Sequence, residues 1–253
     1  MTGRVYLIGA GPGAPDLLTL RAADILRRAD VVFHDSLVHP ETLALAVRAE
    51  KTAVGKRSGR RSTAQQFINK RLIDAARRHS VVVRLKGGDP MLFGRAQEEI
   101  DALRRAGVDV EIVPGVTAAT AAAAELGVSL TRRGLSRHVV FVTPRAAEGE
   151  RENDWAASVL AADTAVIYMG AGLAEEISAT LVRRGKRQTT PIVLVESATL
   201  PTRRVFHGIL ADLAELARKA GDGPVVVLLG EVLKAALAEP VLAEKIEAIL
   251  KRA

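Results

Sequence analysis

The 253-residue chain contains no cysteine. That excludes disulfides, thiolate nucleophiles and cysteine-ligated zinc or iron–sulfur sites. Aromatic residues make up only 3% of the chain. This is too few for the stacking platforms on which unpaired bases are held, and it weighs against sequence-tolerant binding to unpaired bases; a nucleic-acid partner is not expected. The histidines His34, His39, His79, His138 and His207 fall without metal-ligand spacing, so neither a metal site nor a Ser-His-Asp arrangement emerges. No apolar run approaches the roughly 18 residues that a membrane span needs. Met1-Thr2-Gly3-Arg4 runs straight into a strand, so no signal peptide is expected. Low-complexity tracts and internal repeats are also missing. These absences together predict a cytoplasmic protein acting on diffusible molecules.

What is present suffices for a core: 48% of residues are hydrophobic and the mean hydropathy is +0.14. The length suits one large domain or two of ordinary size. A formal charge of +7 and a pI near 10.0 favour an anionic partner, whether nucleic acid, a phosphate compound or a polycarboxylate. An arginine-rich surface that reflects only base composition accounts for the same charge.

The stretch from Val81 to Arg95 organises the reading. Val81-Val82-Val83 reads as a strand buried on both faces, as in a parallel sheet. Gly87-Gly88 follows, permissive of positive φ or close approach to a ligand, at the strand end where open α/β sheets bind ligands. Asp89 places a carboxylate there, Pro90 stops simple continuation, and a helix is predicted from about Gly94 to Arg105. A tight turn with a solvated aspartate reads equally well from Gly-Gly-Asp alone. Upstream, Val5 to Ile8 is a strand leading into Gly9-Ala10-Gly11-Pro12-Gly13-Ala14-Pro15. Gly9, Gly11 and Ala14 satisfy the dinucleotide pattern G-x-G-x-x-G/A, with Asp35 at roughly the expected distance, so an NAD-dependent oxidoreductase is a competing reading. Pro12 and Pro15 argue against it, because proline removes the amide donors that a pyrophosphate needs.

A helix is expected from about Leu17 to Leu26 and strands at Val31–Asp35, Lys51–Val54 and Val110–Val113. Asp35 then stands at a strand end, as a solvated turn residue or as a site carboxylate. The loop Gly55 to Ser62 carries Lys56, Arg57, Arg60 and Arg61, suited to anion capture where it leaves the ligand side of the sheet. A small-residue helix follows Pro114 to Thr120, where the domain boundary is placed. This gives two α/β domains, 1–116 and 117–253. The second half, with expected strands at His138–Val142, Thr164–Tyr168, Pro191–Val195, Arg203–His207 and Pro224–Leu228, predicts a mixed sheet. Ala146 to Asp154 is expected to be an exposed loop and Trp155 a core anchor.

Read together, Gly9-Ala10-Gly11-Pro12-Gly13, Asp35 with Leu37-Val38, Val54-Gly55-Lys56-Arg57, Arg84-Leu85-Lys86-Gly87-Gly88-Asp89-Pro90, Phe93-Gly94-Arg95, Val113-Pro114-Gly115-Val116-Thr117, Leu130-Thr131, Arg133-Gly134, Tyr168-Met169-Gly170 and Arg203-Arg204-Val205 resemble the tetrapyrrole methylase family. The similarity is to its branch that acts on uroporphyrinogen III. It covers almost the whole chain, and the order and spacing of the motifs are more specific than any one of them.

The resemblance implies S-adenosylmethionine in a cleft between the two α/β domains, a homodimer and no metal. It also implies methylation of uroporphyrinogen III on rings A and B, giving precorrin-2 for sirohaem or cobalamin synthesis. Because the chain opens on the first methylase strand, the additional dehydrogenase–chelatase domain of bifunctional relatives is not expected. The family pattern assigns proton acceptance to Asp35 and proton donation to Lys56. It places cofactor contacts on Pro12, Gly87, Gly88, Asp89, Leu92, Thr117, Ala118, Met169 and Ala198, and the carboxylates of the implied substrate make Arg57, Arg60, Arg61, Arg133 and Arg204 candidate partners through charge-assisted bonds. Departures from the family pattern fall at His34-Asp35-Ser36, where Tyr-Asp-Arg is common, at Ala96-Gln97 in place of two glycines, at Arg132 in place of histidine, and at Ala198. The alternatives are a methylase acting later in cobalamin synthesis or on ribosomal RNA, the oxidoreductase above, and a cofactor-binding regulator without turnover.

Overall fold

Valine- and isoleucine-rich runs between polar turns become strands, and the amphipathic segments between them become the helices that bury the strands' faces. The computed structural model describes residues 3–54, 62–146 and 153–236. The chain divides into two units, Met1–Ala118 and Ala119–Ala253.

The first unit alternates strand and helix: β1 (Arg4–Gly9), α1 (Leu20–Arg27), β2 (Val31–His34), α2 (Pro40–Ala44), β3 (Glu50–Ala53), α3 (Ser62–Ala76), β4 (Val81–Lys86), α4 (Ala96–Arg105) and β5 (Val110–Val113). The strands line up β3-β2-β4-β1-β5, and every neighbouring pair is parallel. The side-chain alternation of a strand then sorts the core into two layers. Ile8 and Leu85 pack with Ile25 and Leu26 of α1 on one face. Leu7 and Val82 pack with Leu72 of α3 and Ile100 and Leu103 of α4 on the other. From the adjacent strands β1 and β4 the chain departs in opposite directions, to β2 on one side and β5 on the other. This is a topological switch point, and a crevice opens at the carboxyl ends of such strands.

Two helix starts differ from expectation, each for a local reason. A short 3₁₀ turn over Pro15–Leu17 precedes α1, and the Thr19 hydroxyl accepts from Ala22 N at 3.2 Å, which sets the cap and moves the start to Leu20. Arg95 adopts φ 54, so α4 begins only at Ala96.

A small-residue helix, α5 (Ala118–Glu125), starts at the division between the units. The second unit continues with β6 (Val139–Val142), α6 (Trp155–Ala161), β7 (Thr164–Tyr168), α7 (Ala174–Arg183), β8 (Pro191–Glu196), β9 (Arg204–Ile209), α8 (Leu213–Lys219) and β10 (Val225–Gly230). Its sheet is mixed, with order β6-β7-β10-β8-β9: β6 is parallel to β7 and the other pairs are antiparallel. Ile167, Ile192 and Leu194 pack with Val159, Ile177, Leu181 and Leu213, and Trp155 packs against the same cluster. Because β10 lies antiparallel between β7 and β8, both of those strands release their carboxyl ends at the same sheet edge. Most of the loop expected from Ala146 to Asp154 lies outside the described residues. Among the described residues, no helix is long and apolar enough to cross a membrane.

Candidate active site

In the first unit three strand ends meet on glycine. Gly11 and Gly88 form an antiparallel bridge, with Gly88 N donating to Gly11 O at 2.7 Å and Gly11 N to Gly88 O at 3.2 Å. A β-carbon on Gly9 would lie 2.6 Å from Gly115 Cα, and one on Gly115 would lie 2.4 Å from Gly88 O. Both contacts are to backbone, so a side chain at either position forces the strand ends apart. Gly88 itself has φ +67, and its β-carbon position meets nothing within 4 Å, which leaves an open backbone at the switch point. The dinucleotide reading fails on the same loop. Its fingerprint needs a helix that opens directly on the glycines, whereas α1 begins only at Leu20.

Asp89 ties this crossing together. Its Oδ1 accepts from Met91 N at 2.7 Å and its Oδ2 from Gly115 N at 2.9 Å, linking the loop after β4 to the loop after β5. A carboxylate has about four acceptor sites, so capacity for a ligand donor remains. Leu92 N donates to Asp89 O at 3.3 Å, Pro12 follows the bridging Gly11, and Thr117 and Ala118 follow Gly115. The fold therefore gathers Pro12, Gly87, Gly88, Asp89, Leu92, Thr117 and Ala118 around one crossing. Leu37, Met91 and Phe93 stand exposed on the loops after β2 and β4.

Asp35 begins the loop after β2, and it is not alone. Arg84 Nη2 donates to Asp35 Oδ1 at 2.6 Å, while Arg84 Nε reaches Glu99 Oε1 at 3.1 Å. Lys86 Nζ lies 3.2 Å from both oxygens of Glu99, and Gln65 Nε2 donates to Glu99 Oε1 at 3.1 Å. Arg84, Lys86 and Glu99 are buried, Glu99 completely. Burial opposes the Arg84 charge, but the Asp35 and Glu99 carboxylates outweigh it and hold the guanidinium above its ordinary range. For Lys86, burial and the neighbouring Arg84 charge prevail over the two carboxylates and draw the ammonium below its ordinary range.

The sequence reading missed this network. A signal was available: Arg84 and Lys86 alternate along an apolar strand, so they share a face that needs a buried acid. Glu99 sits beside Ala96, Ile100 and Leu103 on the apolar face of α4. The remaining predicted residues of this unit, Lys56, Arg57, Arg60 and Arg61, lie outside the described residues.

In the second unit the backbone is strained instead of bare. Met169, Ser197 and Thr199 have φ of 56°, 52° and 67°. With Phe93 and Arg95 they are the non-glycine residues of positive φ among those described, and all five lie in loops that follow β4, β7 or β8. Strain of this kind gathers at functional loops when the surroundings enforce it. Here Arg145 Nε donates to Met169 O at 3.2 Å. Thr199 N donates to Glu125 Oε2 at 2.9 Å. Glu196 Oε1 accepts from Gly221 N and Gly223 N at 2.9 and 3.0 Å. Burial pushes the Glu196 carboxyl up, but the bonds from Gly221, Arg204 and Gly223 together prevail and hold it below the usual carboxylate range. Ala198 is buried between the two strained residues. The Tyr168 hydroxyl accepts from Ala119 N at 3.0 Å, fixing the start of α5 to the end of β7.

Met169 and Ala198 thus emerge at one sheet edge, and Arg204 begins β9 there. Arg204 Nε bonds Glu196 Oε2 at 2.7 Å, and its guanidinium lies 5.5 Å from the Phe206 ring centroid. Arg133 is exposed on a turn closed by the Arg132–Ser136 bridge. That turn is anchored at the opposite edge, where Ser136 Oγ lies 2.9 Å from Thr164 Oγ1 at the start of β7. The structure therefore does not bring Arg133 together with Met169 and Ala198. Among the described residues, no cluster of three or more histidine or carboxylate side chains is placed to hold a metal ion.

Comparison with known proteins gives a consistent picture. The sequence profile of the Tetrapyrrole (Corrin/Porphyrin) Methylases matches residues 4–214. A sirohaem synthase from Zymomonas mobilis is 44% identical over 231 residues, which is 91% of this chain and 49% of that protein. The chain spans about half the length of the curated relatives it matches. Among solved structures, the uroporphyrin-III C-methyltransferase from Thermus thermophilus complexed with S-adenosylhomocysteine is 42% identical. It superposes with a TM-score of 0.80, over 92% of this chain and 100% of that one. A cobalt precorrin-4 methyltransferase reaches a TM-score of 0.81 at 30% identity, over 91% of this chain and 96% of that one. On this sequence and structural agreement, the chain belongs to the tetrapyrrole (corrin/porphyrin) methylase family.

Proposed function

We propose that this protein methylates carbon atoms of uroporphyrinogen III with S-adenosylmethionine as donor, on rings A and B, giving precorrin-2 for sirohaem or cobalamin synthesis. The observation that carries the reading is the 42% identity to all of a uroporphyrin-III C-methyltransferase chain complexed with S-adenosylhomocysteine. The loops of the first unit fit such a donor. Gly88 leaves an open backbone, Asp89 keeps acceptor capacity for amino or hydroxyl groups, and exposed Leu37 and Met91 supply apolar surface.

When bound, S-adenosylmethionine supplies a methyl already activated as a sulfonium. The protein's task is then alignment and proton management. Pro12, Gly87, Gly88, Asp89, Leu92, Thr117, Ala118, Met169 and Ala198 are proposed to hold the donor. Once a pyrrole carbon has gained the methyl, the positive charge is shared over the ring nitrogen and the adjacent ring carbon, which makes a neighbouring C–H acidic. Asp35, with Oδ1 held by Arg84, takes that proton as general base and Lys56 returns one as general acid. Arg57, Arg60, Arg61, Arg133 and Arg204 are proposed to meet substrate carboxylates by charge-assisted bonds. Arg204 would do so while still bound to Glu196. A cytoplasmic homodimer without a metal completes the proposal.

The test is anaerobic incubation with uroporphyrinogen III and methyl-labelled S-adenosylmethionine, following label and product mass together. Two methyls per tetrapyrrole is the expected result. Label on later precorrins but not on uroporphyrinogen III would move the substrate to the neighbour's class. No transfer to any tetrapyrrole would overturn the activity.

A further inference from the structure

The four charged groups behind the switch point form a closed set. Arg84, Lys86, Glu99 and Asp35 balance two positive charges against two negative ones, and Gln65 supplies a fifth polar contact. Glu99 accepts four hydrogen bonds, from Gln65, Arg84 and twice from Lys86, and is completely buried. Every nitrogen of the Arg84 guanidinium is engaged: Nε on Glu99, Nη1 on Leu85 O at 3.2 Å and Nη2 on Asp35. The plane of that guanidinium is therefore set by β4 and α4, whereas the carboxylate it holds belongs to the loop after β2.

A buried ion network is weak evidence for stability, because desolvation offsets most of the attraction and an apolar cluster of equal volume serves as well. What such a network does supply is orientation. Only one of its charged members reaches solvent appreciably: the Asp35 side chain is 27% exposed, against 3% for Arg84, 5% for Lys86 and none for Glu99. The interior end is rigid and the outer end is the group assigned to the chemistry.

We propose that Arg84, locked by Glu99 and Lys86, is the positioning residue for Asp35, fixing the direction in which that carboxylate meets the substrate. The proposal rests on the reading of Asp35 as proton acceptor and deepens it. Lysine at position 84 keeps the charge but has one head group, which cannot hold two carboxylates and a carbonyl in a fixed plane. Arg84→Lys is therefore the informative change. Misplacement of a reacting group by about an ångström costs on the order of 100-fold in rate.

The experiment is a double-mutant cycle on the full chain with Arg84→Lys, Asp35→Asn and the pair. It reads kcat and KM with uroporphyrinogen III, affinity for S-adenosylhomocysteine by calorimetry, and melting temperature. Arg84→Lys is expected to lower kcat by roughly 10- to 100-fold with S-adenosylhomocysteine affinity unchanged. In the Asp35→Asn background the same change should cost nothing further, since its effect passes through Asp35. A purely structural role predicts instead that the two losses multiply and that affinity falls with the melting temperature. Multiplying losses, or full turnover by Arg84→Lys while Asp35→Asn is slow, would overturn the positioning role and leave the base assignment standing. Full turnover by Asp35→Asn overturns the base assignment and the proposal with it, as does wild-type protein that transfers no methyl. If Arg84→Lys does not fold, Glu99→Gln keeps both Arg84 and Asp35 and loosens only the anchor. Its smaller loss of kcat should likewise vanish in the Asp35→Asn background, and a loss that persists there sinks the proposal.

Discussion

Both sheets deliver irregular loops at strand carboxyl ends, but they make them in opposite ways. In the parallel sheet of the first unit the loops approach one another because side chains are missing, with Gly9, Gly88 and Gly115 crossing at backbone contact distance. In the mixed sheet of the second unit the loops keep their side chains and the backbone is forced, with Met169, Ser197 and Thr199 held left-handed by bonds to Met169 O and Thr199 N and by Glu196 at the end of β8. The first device is steric and resides in the residues themselves. The second is enforced from outside by partners far along the chain, Glu125 lying 74 positions from Thr199.

The comparison predicts where each unit breaks. Gly115→Ala should have the largest effect: its β-carbon meets Gly88 O at 2.4 Å, and pushing two strand ends apart should cost about 3 kcal/mol. Gly88→Ala is the control within the same crossing. It meets nothing and carries only the left-handed penalty, about 1–2 kcal/mol. Urea unfolding of both variants decides the matter, and equal losses would show that conformation rather than contact sets the crossing.

Glu196→Gln should come next, losing about 1–3 kcal/mol by weakening the acceptor for Gly221, Gly223 and Arg204. Its pH dependence has a definite sign. A carboxyl held below its ordinary range contributes fully above the unfolded-state value, and the contribution is lost as pH falls through the lower folded-state value. Stability curves of wild type and variant, followed from neutral pH down through the carboxylate range, should therefore converge on acidification. A constant gap would remove the charge from the account.

The smallest effect is expected at Met169→Gly. Relieving the left-handed strain should leave the fold unharmed or add up to about 1 kcal/mol, while S-adenosylhomocysteine binding weakens if the side chain touches the donor. A clear loss of stability would mean that Met169 is held by its own packing and that the strain argument is wrong there.

The permissive glycine loops were legible because their cause is local, whereas their crossing at Gly9, Gly88 and Gly115 depends on which strands are neighbours. A glycine pair after a valine strand and a Gly-x-Gly after another permit the positive φ and close backbone approach that other residues resist, and the parallel and mixed sheets followed from the spacing of the apolar runs. The helix starts at Leu20 and Ala96 were less legible, since each turns on one residue, the Thr19 cap or the left-handed Arg95. The Arg84–Glu99–Asp35 network was half legible: two cations alternating in an apolar strand announce a buried acid but not which one. Arg133 and Arg204 show the other limit, because charge alone does not reveal that one guanidinium is bound to Glu196 and the other stands on a turn anchored at the far sheet edge.

By itself, then, the sequence determined the two α/β units, the strand ends that carry the candidate site and the family to which the chain belongs, because periodicity, glycine and motif order are properties of neighbouring residues. The partners of Asp35, Asp89 and Glu196 were decided only by the tertiary structure. A carboxylate is satisfied by whichever donors the packed strands and helices bring within hydrogen-bond reach, and those donors come from segments whose separation along the chain carries no signal.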